Sequence, residues 1–179
     1  MKTVIKKAKV KNHEDFEKKL EDIEFEFSPI IWQHDRVYLP KGFKHGMNYP
    51  RIIMRTEMKA VDKPAKYKMI LKRHIEDSGV DVVDETEVKD YAEGVNIVHQ
   101  LGFKKINEVS RRRQEIDMGD GTMLYLDNVE GVAGYYAKIE TRLDEKDTVT
   151  DVVEDLTKTL KVLGAEEIVE KAYFEQLNG

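Results

Sequence analysis

The side chains best suited to chemistry in this chain are charged residues that alternate with apolar ones along short segments. The clearest segment is 51–57, which reads RIIMRTE. Successive side chains of a β-strand point to opposite faces, so Arg51, Arg55 and Glu57 would share one face. The same alternation occurs in segments 66–72, 83–87 and 110–113. Arginines and lysines on one face, with carboxylates among them, suit a polyanion that is accompanied by a divalent metal ion.

Strands are needed to position these charges, and the alternation of apolar and polar residues predicts eight of them. The predicted strands cover 3–10, 30–39, 50–57, 66–75, 80–89, 103–116, 122–129 and 134–143. Turn-forming residues separate them, in a loop at 40–50 and in turns at 62–64, 77–79 and 119–121. The sixth strand is long, so we expect it to be bent or bulged.

Four helices accompany the predicted strands. Asn12 and Asp90 have the side chains that cap helix N-termini, and Asp90 begins a predicted helix over 91–101. The last third of the chain predicts helices over 148–163 and 166–177. The helix over 148–163 has an apolar stripe, which predicts that this helix covers the outside of the sheet or forms the interface of a homodimer.

The order of elements is the same in the two halves of the chain, 1–78 and 79–179. Each half contains a strand, a helix and three further strands, and the second half adds the C-terminal helices. We therefore predict a single α+β domain over 1–179, built from two pseudo-repeated halves. Eight antiparallel strands can close into a β-barrel with a charged, hydrated interior and with the helices packed outside. An open antiparallel sheet with helices on one face is the alternative.

The overall composition limits the classes of function. The 179 residues are 40% hydrophobic and 36% charged, with a net charge of −5, which is typical of a charge-rich globular protein. The negative net charge disfavours a general nucleic-acid binder. The absence of cysteine excludes disulfides and thiolate chemistry. No apolar run approaches the length of a membrane span, so we expect a cytoplasmic protein without membrane or nucleic-acid partners.

Several motifs along the chain are similar in order and spacing to those of a known family. They are QHDRVY at 33–38, PRIIMR at 50–55, YKMILK at 67–72, DETEVKD at 84–90, LGF at 101–103, VSRRR at 109–113, LDNVEG at 126–131 and YAKIE at 136–140. Together they resemble the CYTH-domain proteins, the superfamily of triphosphate tunnel enzymes. That superfamily includes class IV adenylyl cyclases, thiamine triphosphatases and inorganic tripolyphosphatases. The resemblance covers nearly the whole chain.

The resemblance implies a fold, a ligand and a set of site residues. The implied fold is an eight-stranded antiparallel tunnel in which basic residues hold a triphosphate, such as ATP or inorganic tripolyphosphate. Acidic residues in the tunnel hold one or two Mg²⁺ or Mn²⁺ ions. The residues at the triphosphate-binding positions are Lys7, Arg51, Arg55, Lys72, Arg111 and Arg113. The residues at the metal-binding or water-positioning positions are Glu85, Glu87, Asp127 and Glu140. The predicted catalytic residues are Lys72, Glu85 and Glu87.

Two segments depart from the family pattern. The family has an E-x-E-x-K strand near its N-terminus, whereas this chain reads TVIKK at 3–7 and retains only Lys7. On the last strand of the tunnel, the E-I-E of the family is replaced by Lys138-Ile139-Glu140. Three carboxylates are therefore missing, and one position carries a cation instead. Because Mg²⁺ requires several oxygen ligands, these departures disfavour a two-metal mechanism and leave single-metal activity or metal-independent anion binding.

Three functions are consistent with these residues. The leading one is binding and metal-assisted hydrolysis of a nucleoside triphosphate or inorganic tripolyphosphate inside the tunnel. The second is formation of cyclic AMP from ATP, as in class IV adenylyl cyclases. The third is non-catalytic binding of nucleotide or polyphosphate, which the loss of glutamate at positions 3 and 5 favours. The remaining alternative is that the charges pair across strands on a solvated sheet face and bind no ligand.

Overall fold

Nine strands and four helices make up the part of the chain that the computed structural model describes, namely residues 1–43, 49–60, 62–75, 78, 80–165 and 167–177. The strands are β1 (Lys2–Val10), β2 (Ile31–Pro40), β3 (Arg51–Met58), β4 (Lys66–Ile75), β5 (Val80–Glu87), β6 (Phe103–Gly119), β7 (Thr122–Val129), β8 (Tyr135–Arg142) and β9 (Glu167–Ile168). The helices are α1 (His13–Glu21), α2 (Tyr91–Gln100), α3 (Val149–Val162) and α4 (Tyr173–Gln176). The middle of the predicted loop at 40–50 and two positions of the predicted turn at 77–79 lie outside the described residues.

Eight strands form one antiparallel sheet that closes in a ring. Neighbouring strands follow the order β5-β4-β3-β2-β6-β7-β8-β1, and β1 also pairs with β5, where Thr3 lies opposite Asp81. The register between β2 and β6 shifts after Val37, so that Ile106 is an extra residue in β6, and the expected bulge is confirmed. In a ring each of the eight strands has two neighbours. The predicted closed sheet is therefore confirmed over the open alternative.

Helices cover one side of the outer surface of the ring with apolar side chains. Phe16 and Leu20 of α1, with Leu156 and Leu160 of α3, belong to a buried core shared with β1, β7 and β8. The helix α3 contacts β1 and β8 directly. The apolar stripe of α3 thus covers the ring, which was one of the two roles that its sequence allowed. Asn12 accepts hydrogen bonds from two backbone amides and begins α1, as expected.

The helix α2 packs against the outer faces of β3 and β6. Asp90 accepts a hydrogen bond from the backbone amide of Glu93 at 3.0 Å and caps the helix, as predicted. Met54 and Val98 are fully buried in this contact. A Cβ atom on Gly94 would lie 2.9 Å from the terminal methyl of Met54, so glycine permits the close approach of helix and strand.

Because helices cover the outer face, the charged residues of the same strands point into the ring. In β3, Ile52 and Met54 are buried beneath α2. Side chains alternate along a strand, so Arg51, Arg55 and Glu57 face the interior. Outer apolar contacts therefore fix the orientation of the inner charges.

The C-terminal segment differs from the single helix predicted over 166–177, which is wrong. Its first part is β9, which pairs with Ala8 and Lys9 of β1. The strand β5 pairs only with residues 2–4 of β1, so this part of the β1 edge would otherwise lack backbone hydrogen-bond partners. Backbone pairing with β1 thus replaces helical hydrogen bonds, and only α4 is helical.

The helix α4 packs against one end of the ring interior. Tyr173 and Phe174 are buried there against Val37, Val109 and Val129. These valines continue the inward faces of β2, β6 and β7. One end of the interior is therefore apolar and covered by the C-terminal segment.

Candidate functional site

The cationic side chains that we predicted to bind a triphosphate all lie in the interior of the ring. They come from β1, β3, β4 and β6, and all are partly or fully buried: Lys7, Arg51, Arg55, Lys72, Arg111 and Arg113. Inward-facing carboxylates from β2, β3, β5, β7 and β8 accompany them, namely Asp35, Glu57, Asp81, Asp127 and Glu140. Register between strands decides which of these charges meet.

Asp35 of β2 joins arginines from the two neighbouring strands. Arg55 donates hydrogen bonds to both of its carboxylate oxygens at 2.7 and 2.9 Å, and Arg111 donates another at 2.6 Å. Gln33 accepts a hydrogen bond from Arg111 at 2.9 Å and donates one to Glu57 at 3.0 Å. Burial opposes ionisation of Asp35, but Arg111 and Arg55 outweigh it and hold its pKa well below the usual range. Asp35 thus fixes two charged guanidinium groups in the wall.

A second buried ion pair joins β6 to β7. Arg113 donates two hydrogen bonds, both at 2.7 Å, to the two carboxylate oxygens of Asp127. The hydroxyl of Tyr173 in α4 donates to the same carboxylate at 2.8 Å. Asp127 is fully buried, which would raise its pKa, but Arg113 holds that pKa far below its usual range. The carboxylate of Asp127 is therefore occupied by side chains of this chain.

Three lysines from β1, β4 and β8 form what we call the lysine cluster: Lys7, Lys72 and Lys138. Burial lowers the pKa of Lys7 to about 8, and the charges of Lys72 and Lys138 contribute to the shift while Asp127 and Glu175 oppose it. Burial likewise lowers the pKa of Lys138 to about 8, with Lys72 again contributing. The register of β1 and β8 places Lys7 opposite Lys138, and the charge of Lys72 on β4 acts on both.

Two carboxylates compensate part of this positive charge. Asp81 of β5 accepts from Lys72 at 2.9 Å and contacts His74 at 3.1 Å. Glu140 of β8 pairs with Lys138 and accepts a hydrogen bond from the hydroxyl of Tyr125 at 2.7 Å. Burial would raise the pKa of Glu140, but the ammonium of Lys138 lowers it to about 2. Both carboxylates are thus ionised and already bound to lysines.

Lys7 and Arg51 face the C-terminal segment at the covered end of the interior. The ammonium of Lys7 donates to the backbone carbonyl of Lys171 and lies 4.2 Å from the ring centroid of Tyr173. The guanidinium carbon of Arg51 lies 5.6 Å from the ring centroid of Phe174. Within the described part of the chain, Arg51 forms no salt bridge. Among the predicted phosphate-binding arginines, Arg51 is therefore the one whose guanidinium is not held by a carboxylate of the described residues.

Glu85 and Glu87 lie at the opposite, exposed end of the strands. Lys68 contacts Glu85 at 2.8 Å, and Lys66 contacts Glu87 at 3.4 Å. The side chains of Glu85 and Glu87 are 42% and 69% exposed. These two predicted catalytic carboxylates therefore stand at the solvated rim, whereas Lys72 lies in the interior.

The four carboxylates predicted to bind metal do not form a ligand cluster. Throughout the described ranges, no group of three or more His, Asp and Glu side chains is placed to hold a metal ion. Asp127 and Glu140 are occupied by cations and tyrosines. At the first position of the missing N-terminal motif, Thr3 is buried with its hydroxyl unpaired, so no oxygen anion replaces the expected glutamate. The residues present do not fit a Mg²⁺ or Mn²⁺ site.

Sequence reasoning missed several residues that organise the interior. Gln33 and Asp35 alternate within the 33–38 segment that carries the resemblance, and this alternation was the signal that could have revealed them. Asp81 stands two residues before Val83 on the same strand face, so it could have been found by extending the charged segment. Tyr173 had no such signal, because its contact with Asp127 joins residues 46 positions apart.

Comparison with known proteins identifies the family of this ring-shaped fold. The model of the CYTH domain matches residues 1–173. This chain belongs to the CYTH domain family. CYTH proteins bind triphosphate substrates, and the family includes adenylyl cyclases and triphosphatases, which generally depend on a metal ion. The resemblance stated from the motifs is therefore confirmed.

Solved structures share the CYTH fold over the whole chain. The PH1819 protein of Pyrococcus horikoshii OT3 is 24% identical, with a TM-score of 0.84 and 98% of each chain covered. A candidate adenylate cyclase from Vibrio parahaemolyticus is 18% identical, with a TM-score of 0.81, covering 99% of this chain and 98% of its own. A candidate adenylyl cyclase from Hippeastrum, with a dominant triphosphatase activity, is 18% identical, with a TM-score of 0.63 and coverages of 99% and 95%. At these identities the similarity shows the fold alone.

Two further searches, one among curated proteins and one for membrane-spanning helices, found nothing in the chain or in its described residues respectively. None of the curated proteins searched matches the chain. Among the described residues, every helix is too short or too polar to cross a membrane.

Proposed function

We propose that this protein binds a linear triphosphate in the ring interior and assists hydrolysis of its terminal phosphoanhydride bond. The ligand is inorganic tripolyphosphate or the triphosphate of a nucleotide such as ATP. One observation carries the proposal, namely that inward-facing arginines and lysines from four strands converge in one interior. A linear polyanion can contact several strands at once in such an enclosure, which a flat sheet surface would not allow.

The cations have different tasks in this proposal. Arg51 is free of salt bridges to the described residues, so it can give a bidentate contact to phosphate oxygens without breaking an ion pair. Lys7 and Lys72 act as point charges beside it. Arg55, Arg111 and Arg113 are held by Asp35 and Asp127, so they contribute a fixed positive potential and share their remaining donors.

Hydrolysis requires attack by water on the terminal phosphorus and departure of the remaining diphosphate. Charge neutralisation and positioning supply most of the assistance in such reactions. Lys72 would neutralise the departing oxygens. Glu85 and Glu87, at the solvated rim, would orient the attacking water. No step involves a metal ion, because the described residues do not fit one. The triphosphatase activity of the Hippeastrum protein supports hydrolysis before cyclisation as the reaction to test.

A calorimetric titration tests binding. Tripolyphosphate, ATP and orthophosphate are titrated into the purified protein and into two variants. Arg51→Met removes an inward cation, and Arg112→Met removes an exposed one on the outer face, where it contacts Asn128. A hydrogen bond to a charged group contributes about 1.5–3 kcal/mol, so Arg51→Met should lose at least about tenfold in affinity. Arg112→Met should bind as the parent does.

The products identify the reaction. Release of orthophosphate supports hydrolysis, whereas pyrophosphate with cyclic AMP identifies the cyclase alternative. Binding without turnover identifies a non-catalytic binder. If neither tripolyphosphate nor ATP binds, or if Arg112→Met weakens binding as much as Arg51→Met, the interior is not the triphosphate site and the proposal is wrong.

A further inference from the structure

Two neutral side chains and one cation occupy interior positions where the family pattern has acidic residues. In the E-x-E-x-K strand of the family pattern, Thr3 and Ile5 replace the two glutamates, and Lys138 replaces the first glutamate of E-I-E. These positions are neighbours in the structure, because Ile5 lies opposite Glu140 and Lys7 opposite Lys138 in the β1–β8 register. The substitutions therefore remove three negative charges from one patch of the interior wall and add one positive charge there.

Each carboxylate that remains in this patch is already engaged. Asp81 accepts from Lys72 at 2.9 Å and contacts His74 at 3.1 Å. Glu140 contacts the ammonium of Lys138 and accepts from Tyr125 at 2.7 Å. A divalent ion would have to displace two partly buried lysines to reach these oxygens. It would still lack the six or more oxygen ligands that hard cations take, except by keeping most of its water.

The net field of the patch also opposes a metal ion. Lys7 lies opposite Lys138 in the register of β1 and β8, the charge of Lys72 lowers the pKa of both, and Arg51 adds a fourth cation beside Lys72 and Asp81. The carboxylates that face these cations among the described residues are Asp81, Glu140, Asp127 and Glu175. Asp127 is neutralised by Arg113. The remaining balance is positive, which attracts a polyanion and repels a divalent cation.

We propose that the ammonium groups of Lys138 and Lys72 take the place of the divalent ion in this ring, so that the protein binds a linear triphosphate without metal. The proposal rests on the proposed function, since it concerns the same ligand in the same interior. Each ammonium has three hydrogen-bond donors, and since one is engaged by its carboxylate, up to two remain for phosphate oxygens. Asp81 and Glu140 hold these two lysines in place and keep them charged, as ligands would otherwise hold a metal.

The first test compares binding with and without metal. Tripolyphosphate is titrated into the metal-stripped protein in EDTA and then in excess Mg²⁺. We expect the affinity in EDTA to equal or exceed that in Mg²⁺, because Mg²⁺ neutralises the polyanion in solution. Binding that appears only with Mg²⁺ or Mn²⁺ would overturn this inference and leave the proposed function intact. Absence of binding under both conditions would instead overturn the proposed function.

The second test changes the cation at the centre of the inference. Lys138→Glu recreates an E-I-E sequence, and Lys138→Met removes the charge without supplying an oxygen ligand. In EDTA both variants should bind tripolyphosphate at least about tenfold more weakly than the parent, the loss expected for one charge-assisted contact. Excess Mn²⁺ should restore binding to Lys138→Glu and not to Lys138→Met.

Metal binding can also be measured directly in the parent protein and in the same variants. The electron paramagnetic resonance signal of free Mn²⁺ should be unchanged by the parent protein and reduced by Lys138→Glu. Loss of the signal with the parent would contradict the inference, since it would reveal a metal site that the lysines should exclude. If Lys138→Glu fails to fold, the parent measurements and Lys138→Met still decide the outcome.

Discussion

The charge of Asp35 is expected to stabilise the ring where β2 lies between β3 and β6. Asp35 exposes 4% of its surface and accepts three hydrogen bonds from Arg55 and Arg111. The substitution Asp35→Asn keeps the shape of the side chain and removes its charge. Both guanidinium groups then remain buried without a counter-ion, and one of their donors faces the amide nitrogen.

We expect Asp35→Asn to lower the free energy of unfolding by a large amount for a single isosteric substitution. Removing one partner of a buried ion pair typically costs about 3–5 kcal/mol, because the other charge stays desolvated. In a domain of this size, each kcal/mol shifts Tm by about 2–4 °C. We therefore expect Asp35→Asn to lower Tm by roughly 10 °C in differential scanning calorimetry.

Asp84→Asn is the matched control, because it removes the same charge from an exposed site. Asp84 contacts the N-terminal ammonium at 3.0 Å, and its side chain is 65% exposed. Such surface pairs contribute about 0–1 kcal/mol to the free energy of unfolding.

Excess tripolyphosphate should raise Tm more in Asp35→Asn than in the parent, since the polyanion supplies the missing negative charge to Arg55 and Arg111.

Low pH should reduce the difference in Tm between Asp35→Asn and the parent protein. The arginines hold the pKa of Asp35 below that of the unfolded chain, so its contribution to stability is complete above about pH 4 and is lost as pH falls towards the folded-state pKa. The difference in Tm should therefore narrow at low pH. If Asp35→Asn has the same Tm as Asp84→Asn near neutral pH, the reasoning about the buried ion pair is refuted.

Three further predictions concern the ligand and the C-terminal segment. Affinity for tripolyphosphate should fall as salt rises, because the contacts are ionic; an affinity independent of salt would contradict an ionic site. Binding near pH 8 should take up protons, because the polyanion raises the lowered pKa of Lys7, and affinity should decline at higher pH. Titrations in buffers of different ionisation enthalpy measure this uptake, and identical heats would disprove it. Tyr173→Phe should lower the free energy of unfolding by about 1.5–3 kcal/mol, because it removes a hydrogen bond to buried Asp127. The control Tyr67→Phe should leave Tm unchanged. Equal Tm values for the two variants would show that the contact between the Tyr173 hydroxyl and Asp127 does not stabilise the fold.

The strands and the helix starts were predictable because their causes are local. Alternation along 51–57 places Ile52 and Met54 on one face, and burial beneath α2 selects that face as the outer one. The caps Asn12 and Asp90 each bond to amides within three residues. Closure of the ring was an expectation from strand number and from the resemblance, and the pairing of β1 with β5 confirms it.

The C-terminal segment shows where local reasoning fails. Residues 166–177 have the composition of a helix, but the free edge of β1 offers backbone partners at Ala8 and Lys9. Pairing with a distant strand outweighs the local preference, because unpaired backbone groups at a buried edge are costly. The same rearrangement carries Tyr173 to Asp127, a contact that no local pattern predicts.

The sequence by itself determined which residues face the same side of each strand, and hence that arginines, lysines and carboxylates share the ring interior. The tertiary structure decided which charges meet. Asp35 and Arg111 are 76 positions apart, and their contact exists only because β2 and β6 adopt one register in the closed ring. A shift of one residue would turn Arg111 outwards, because side chains alternate between faces. Ion pairing inside the ring therefore depends on long-range strand register, which the alternation of residues in a single strand does not encode.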